Sequence, residues 1–505
     1  MPNPLYDQLF GVHEGRETPF LHLPDGTVLG HAAFLRMAAR IAHVLVAKGL
    51  EPGARLAAQV EKSPEALALY AACAQTGVIF LPLNTAYTVT ELRYFIENSG
   101  AKLVVCGTRG AEGIAPMAEA LGAGLETLDA DGAGSLMAAA EGQPDRFETV
   151  TREEDDLAAF LYTSGTTGRS KGAMLTQANL LSNARVLADY WRFTARDVLL
   201  HALPIYHTHG LFVATNIALL TGGAMIFLPK FDAGEVLRHL PKATAMMGVP
   251  TFYTRLLDAP GFTREAAAHM RLFVSGSAPL LAETHERFEA RTGHRILERY
   301  GMTETNMNTS NPYEGERRAG TVGFALPGVE VKVCDAETGA TLPQGEVGIV
   351  EVRGPNVFKG YWQMPEKTAA ELRADGFFIT GDLGRFDADG YLQIVGRGKD
   401  LIISGGLNVY PKEVEEILDA QPGVLESAVI GVPHPDFGEA VVAVLVAEPG
   451  AAPDLGAISG AAGEALARFK QPKHMELVEA LPRNTMGKVQ KAALRERFAG
   501  LFTAP

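Results

Sequence analysis

Hydroxyls, glycines and a lysine crowd into residues 162–172, which read Y-T-S-G-T-T-G-R-S-K-G. Gly165 and Gly168 permit positive φ and close backbone approach, and successive amides in such a turn can converge on an anion. Thr163, Ser164, Thr166 and Thr167 supply hydroxyl donors, and Lys171 a mobile positive charge. That is the chemistry of a phosphate cradle. The lysine does not fall where G-x-x-x-x-G-K-[ST] would place it, so the stretch is not a P-loop. Taken alone, a solvated Ser/Thr/Gly loop is its plainer reading.

Further stretches carry chemistry downstream. Ser275-Gly276-Ser277-Ala278-Pro279 follows the apolar run 272–274, and the carboxyl ends of such strands are where α/β sheets bind ligands. Residues 299–304, R-Y-G-M-T-E, follow Ile296-Leu297 in the same way. They offer an aromatic face in Tyr300, a hydroxyl in Thr303 and a hard carboxylate for Mg²⁺ in Glu304. Asp382, in F-F-I-T-G-D-L, suits a ribose diol, and Arg397 and Lys399 lie in G-R-G-K-D. Lys488 ends the Pro/Gly loop P-R-N-T-M-G-K. His207 and His209 stand two apart with no cysteine or third ligand nearby, a poor zinc pattern.

The elements that must position these residues alternate. Residues 157–162 read as a buried parallel strand, 32–49 as a helix, 55–60 as a strand, 91–99 as a helix and 101–106 as a strand. Residues 210–229 hold no charge for twenty positions, but Gly222-Gly223 divides them into a helix-length and a strand-length piece, so a helix–turn–strand unit is expected rather than a membrane span. This alternation predicts an α/β fold with helix-covered parallel sheets over roughly the first 330 residues. Short strands parted by Gly and Pro at 320–357 predict a small β-rich subdomain. Beyond 390–400 about a hundred residues of mixed α and β form a candidate small α+β domain. The boundary is placed between 1–396 and 397–505.

Length and composition agree. The chain has 505 residues, too many for one core. A net charge of −14 and no basic stripe speak against a nucleic-acid partner. Cys73, Cys106 and Cys334 form neither a metal pattern nor a disulfide framework, and residues 1–10 lack a secretion signal, so a reducing cytoplasm and no membrane partner are expected.

Each motif alone has a structural reading; their order from Thr163 to Lys488 does not. In that order the chain resembles the adenylate-forming acyl-CoA synthetases. The resemblance implies a large AMP-binding domain, a small mobile C-terminal domain, and ATP, Mg²⁺ and coenzyme A as cofactor and co-substrates. Residues 163–171 would hold the β- and γ-phosphates, with Thr163 and Glu304 on the metal. Ser277, Ala278 and Pro279 would line the adenine pocket beside Tyr300, Gly301 and Met302. Thr303 would contact the α-phosphate, Asp382 and Arg397 the ribose, and Lys488 the charge developing as the carboxylate attacks phosphorus. Lys399 matches the hinge, and Gly405 and Gly406 the coenzyme A face. His207 would wall the acyl site, with Thr208 and His209 near the acyl group. A lysine acetyltransferase and deacetylase acting on Lys488 are candidate partners.

Arg255 and Arg299 bear on which acid is used. A buried arginine is costly unless an anion pairs with it, and a second substrate carboxylate would supply that anion through bidentate bonds. Ser277 could complete the cage. Residues 204–214, 248–257 and 297–313 resemble the segments of family members that activate malonate, which makes malonate the expected substrate and methylmalonate a slower one. Other short acids, a kinase reaction and a non-catalytic nucleotide-binding regulator remain as alternatives.

Overall fold

The expected alternation builds two sheets, which supply the strand ends that carry the motifs. A computed structural model describes residues 2–163, 170–404, 407–435, 437–466, 468–484 and 487–502. The chain divides into two units, 1–331 with 352–378, and 332–351 with 379–505.

In the first unit a six-stranded sheet runs Gly124–Thr127, Leu103–Cys106, Arg55–Gln59, Ile79–Pro82, Leu157–Thr163, Lys171–Thr176. Its first five strands pair in parallel; the last folds back antiparallel on Leu157–Thr163, with Thr163 opposite Lys171. The described flanks of the phosphate-cradle motif are therefore two antiparallel strands and not a strand followed by a helix. The covering helices start where the local chemistry says they should. Ser63 caps Pro64–Thr76 through Ala66 N, with proline at the first turn, and Thr88 with Glu91 forms a capping box on Val89–Ser99.

A nine-stranded sheet follows, in the order Phe324–Ala325, Asn306–Ser310, Leu297–Met302, Leu272–Ser275, Ala245–Gly248, Val198–His201, Ala224–Phe227, Pro19–His22, Val28–Gly30. Residues 210–229 hold no membrane span: a π-helical stretch His209–Thr215 continues as the helix Asn216–Thr221 and turns into the strand Ala224–Phe227. Among the described residues, no helix is long and apolar enough to cross a membrane. One face of this sheet buries Tyr253, Phe262, Phe273 and Phe288 in a single apolar cluster.

Strands Glu330–Cys334, Gly348–Arg353, Phe378–Phe386 and Leu392–Arg397 form one sheet that belongs mostly to the second unit, each of the first three crossing a boundary by one or two residues. Another sheet is centred on Gly438–Ala447, which pairs antiparallel with Val424–His434 and parallel with His474–Val478. Helices Pro411–Asp419 and Leu455–Ala465 cover that sheet through a core of Val414, Leu418, Ile458 and Ala462.

Candidate active site

Strand pairing brings the phosphate lysine to a tyrosine that the sequence did not mark. Gly360–Trp362 is stitched onto the hairpin strand Lys171–Thr176: Met174 N donates to Gly360 O, Trp362 N to Gly172 O, and Ala173 pairs with Tyr361. Tyr361 thereby lies beside Lys171, whose ammonium is 3.0 Å from the phenol oxygen and 4.1 Å from the ring centroid. The base of the hairpin is braced by Val89–Ser99, where Tyr94 Oη donates to Ser170 O (2.7 Å) and Tyr162 Oη to Asn98 Oδ1 (2.6 Å).

Tyr361 connects this lysine to the carboxylate expected on the metal. Its hydroxyl is 3.0 Å from Glu304 Oε1 and 2.8 Å from Glu371 Oε2, so two carboxylates share one proton donor. Phe358 N donates to Glu304 O (2.8 Å), fixing the glutamate from the same segment. Burial, then the charge of Glu304, pushes the phenol pKa far up, so the tyrosine stays a neutral donor. Lys171 also pairs with Glu371 at 3.3 Å, and Lys367 holds the other oxygen of that glutamate at 2.6 Å. Burial alone would raise the Glu371 carboxyl; hydrogen bonds from Lys367 and Tyr361 and the charge of Lys171 outweigh it and hold it below the usual range.

Thr163 Oγ1 is buried without a hydrogen-bond partner among the described residues. Glu304, the other residue expected on the metal, is buried and offers carboxylate oxygens. Oxygen donors of this kind suit Mg²⁺, which takes one or two protein oxygens plus phosphate oxygens and water. Ser164, Gly165, Thr166, Thr167 and Gly168 lie outside the described residues, as do Gly405 and Gly406.

Residues 299–304 do not all follow a strand, as the spacing had suggested. The strand runs on through Met302, and Tyr300, Gly301 and Met302 pair with Asn306–Ser310 across a bulge; only Thr303 and Glu304 sit in the turn. Ser277, at φ +73°, does sit past the end of Leu272–Ser275, with Ala278 and Pro279 following. A left-handed serine is strained. It aims its hydroxyl at His209, with Oγ 3.2 Å from Nδ1.

Here a second cluster forms. Arg299 is 4% exposed, and its Nε and Nη2 have no hydrogen-bond partner among the described residues. The same holds for His209 Nε2 and Thr208 Oγ1. Burial pushes the Arg299 guanidinium down to about 9, still charged at neutral pH. Burial, then the Arg299 charge, then His207, keeps His209 neutral. His209 N lies 3.3 Å from His207 Nδ1. Buried donors left unpaired are rare because each costs about 1–3 kcal/mol. The orphaned guanidinium donors of Arg299, with the unpaired polar atoms of His209 and Thr208, describe a seat for a small anion.

Arg255 differs. It lies on the last turn of Pro250–Asp258 and is solvent-exposed, while Tyr253 of the same helix is buried and donates to Val274 O. Two positions along a helix turn a side chain roughly 200°, so Tyr253 takes the core face and Arg255 the opposite one. The argument from burial cost therefore holds for Arg299 and not for Arg255.

The second unit carries the remaining residues. Asp382 and Arg397 face each other across antiparallel strands, Oδ1 to Nε 2.6 Å, with the aspartate buried. Thr380 Oγ1 fixes Asp382 N at 3.1 Å and donates to Val350 O at 2.7 Å. Lys399 sits in the turn Gly398–Asp400, its pKa lowered by burial and by Arg397 and Arg495 despite Asp400. Lys488 is exposed on a loop closed by Asn484, which accepts from Lys488 N (2.9 Å) and donates its own N–H to Lys488 O (2.9 Å).

The pattern described as "AMP-binding enzyme" matches residues 12–362, and that of the "AMP-binding enzyme C-terminal domain" matches 413–488. The chain belongs to the AMP-binding enzyme family. It is 36% identical over 480 residues to a malonate–CoA ligase of Arabidopsis thaliana, covering 88% of this chain and 78% of the relative. It is 37% identical to a feruloyl-CoA synthase of Amycolatopsis sp, covering 94% of each. The crystal structure of ATP-bound MatB from Rhodopseudomonas palustris superposes with a TM-score of 0.98 at 58% identity, covering all of both chains.

Tyr361 and Glu371 were missed by sequence reasoning. The G-Y-W string at 360–362 is visible, but only strand pairing shows that its tyrosine faces Lys171.

Proposed function

We propose that this chain is an AMP-forming acid–thiol ligase that joins malonate, and more slowly methylmalonate, to coenzyme A. A malonate oxygen attacks the α-phosphorus of ATP, the bond to the β-phosphate breaks, and pyrophosphate leaves. The coenzyme A thiolate then attacks the acyl carbonyl, and AMP leaves. Glu304 with Thr163 would hold Mg²⁺, which would supply positive charge to the phosphates. Lys171 holds the departing phosphates, Thr303 contacts the α-phosphate, and Tyr300 with Ser277, Ala278 and Pro279 receives adenine. Asp382 and Arg397 take the ribose. Lys488 stabilises charge at the α-phosphorus, and Lys399 is the hinge between functional domains 1–396 and 397–505.

One observation carries the choice of acid: Arg299 is a buried guanidinium with unpaired donors beside the unpaired His209 Nε2. A monocarboxylate spends its one carboxyl on the phosphorus and leaves this cation unanswered; a dicarboxylate answers it with bidentate bonds. Arg255, being exposed, is an outer contact to the same acid. The likeness to a malonate–CoA ligase supports this reading, and the equal likeness to a feruloyl-CoA synthase makes another acid the second one. A panel of malonate, methylmalonate, acetate, oxalate and ferulate with Mg-ATP and coenzyme A tests it. Malonate should give the highest kcat/KM, with AMP and a malonyl thioester found by mass; ADP, or a preference for acetate or ferulate, would overturn it.

Two finer points belong to the same proposal. The enzyme works in a reducing cytoplasm, in keeping with three buried thiols, Cys73, Cys106 and Cys334. Exposed Lys488 is open to an acetyltransferase and a deacetylase, and acetylation would remove its charge.

A further inference from the structure

Lys62 is buried in the first unit, just before the helix Pro64–Thr76. Its ammonium lies 2.8 Å from His201 Nδ1, 2.8 Å from His201 O and 3.0 Å from Leu203 O, and 4.3 Å above the Phe227 ring centroid. Three protons meet three acceptors. Among the described residues no carboxylate pairs with it; burial pushes its pKa well below the usual lysine range, and the three acceptors favour the proton that burial disfavours. Such a group is retained for something other than stability.

Its partner histidine shows what. His201 Nε2 lies 2.8 Å from Gly210 O, and a carbonyl only accepts, so Nε2 carries the proton. The neutral ring then has its lone pair on Nδ1, where Lys62 donates. Gly210 is pressed on the same segment: a Cβ there would come within 2.0 Å of Pro204 O. Lys62 thus grips the start of residues 203–210 directly, at Leu203 O, and their end through His201, at Gly210 O. Between those two points lie His207, Thr208 and His209.

We propose that Lys62 is a positioning residue of the acid pocket: it clamps both ends of residues 203–210 so that His209 meets Ser277 and presents its free nitrogen beside Arg299. This rests on the reading that Arg299 and His209 receive a substrate carboxylate. Lys62 touches no substrate and acts through the loop.

The test is Lys62→Met, which keeps the stem and removes the three hydrogen bonds. KM for malonate should rise about tenfold, the weight of one well-placed charge-assisted bond, with a smaller change in kcat. ATP affinity, measured by calorimetry without acid, should stay within about twofold. Amide hydrogen exchange should speed up at 203–210 and not in the hairpin strands 157–163 and 171–176. Unchanged malonate KM and unchanged exchange at 203–210 would overturn the proposal, as would parallel losses of ATP affinity and malonate affinity. If Lys62→Met does not fold, His201→Gln and His201→Asn carry the test. The longer amide can accept from Lys62 and donate to Gly210 O, so Gln should keep malonate KM where Asn raises it; equal behaviour of the two sinks the clamp. Should the wild type ignore malonate altogether, the substrate reading falls, and the exchange at 203–210 still decides the clamp.

Discussion

The guanidinium of Arg299 lies on the α-carbon of Gly276, so close that a Cβ at that position would come within 2.3 Å of Cζ and 2.5 Å of Nε. Glycine is required there because the arginine occupies the space a side chain would need. Gly276→Ala should displace the guanidinium and raise malonate KM by one to two orders of magnitude, roughly the loss of a bidentate ion pair. Steady-state kinetics with malonate, alongside ATP binding that changes less, check this.

Arg299 and Arg255 should separate in a paired experiment. Arg299→Met removes a buried charge whose donors are unpaired, so the protein without substrate should gain stability, on the order of 1 kcal/mol or more, while malonate use is abolished. Arg255→Ala removes an exposed side chain, which changes stability within about 0.5 kcal/mol. Its effect should fall on malonate KM alone. Thermal melts and malonate kinetics on both variants give the comparison.

Tyr361→Phe removes the hydroxyl that joins Lys171, Glu304 and Glu371 without emptying its space. ATP affinity should fall about tenfold, since two like-charged carboxylates lose their shared donor and the lysine loses a partner. Titration calorimetry with Mg-ATP reads this directly. Malonate KM at saturating ATP should barely change.

Asp419 gives a pH dependence with a definite sign. It closes the helix Pro411–Asp419, and burial, then Glu415 and Glu426, lifts its pKa to about 7 against Ser427 and Lys412. Between the unfolded value and about 7 the folded state holds the extra proton, so stability from this group falls as pH rises through that window. Asp419→Asn should flatten the pH dependence of thermal unfolding between pH 4 and 7 and raise the melting temperature at pH 8. A wild-type slope retained in the variant would remove Asp419 as its source.

Lys488→Gln, which mimics the neutral acetylated side chain, should lower adenylate formation by at least about a hundredfold, as loss of a charge-stabilising group does. Thioester formation from preformed malonyl-adenylate should persist. Pyrophosphate exchange measures the first step, and a quenched-flow assay on supplied adenylate the second.

Much of this was written in the sequence because it depends on local chemistry. The alternation of apolar runs predicted the α/β layers, and the caps at Ser63 and Thr88 that start two of the covering helices are local chemistry as well. Glu304 and Asp382, named from motif chemistry, are both buried. What the linear order could not hold is which side chains meet across hundreds of positions. Tyr361 reaches Lys171, 190 residues away, only because an isolated antiparallel bridge sets it there.

Burial was likewise decided by tertiary structure. Arg255 and Arg299 look alike as letters, but one stands on the outer face of a helix and the other on a central strand against a glycine. Nothing in the letters around Lys62 marks it; the fold buries it against three acceptors, with no acid paired to it among the described residues. Residue type decides what chemistry a chain can offer; desolvation, which only packing imposes, decides which of those groups must find an anion.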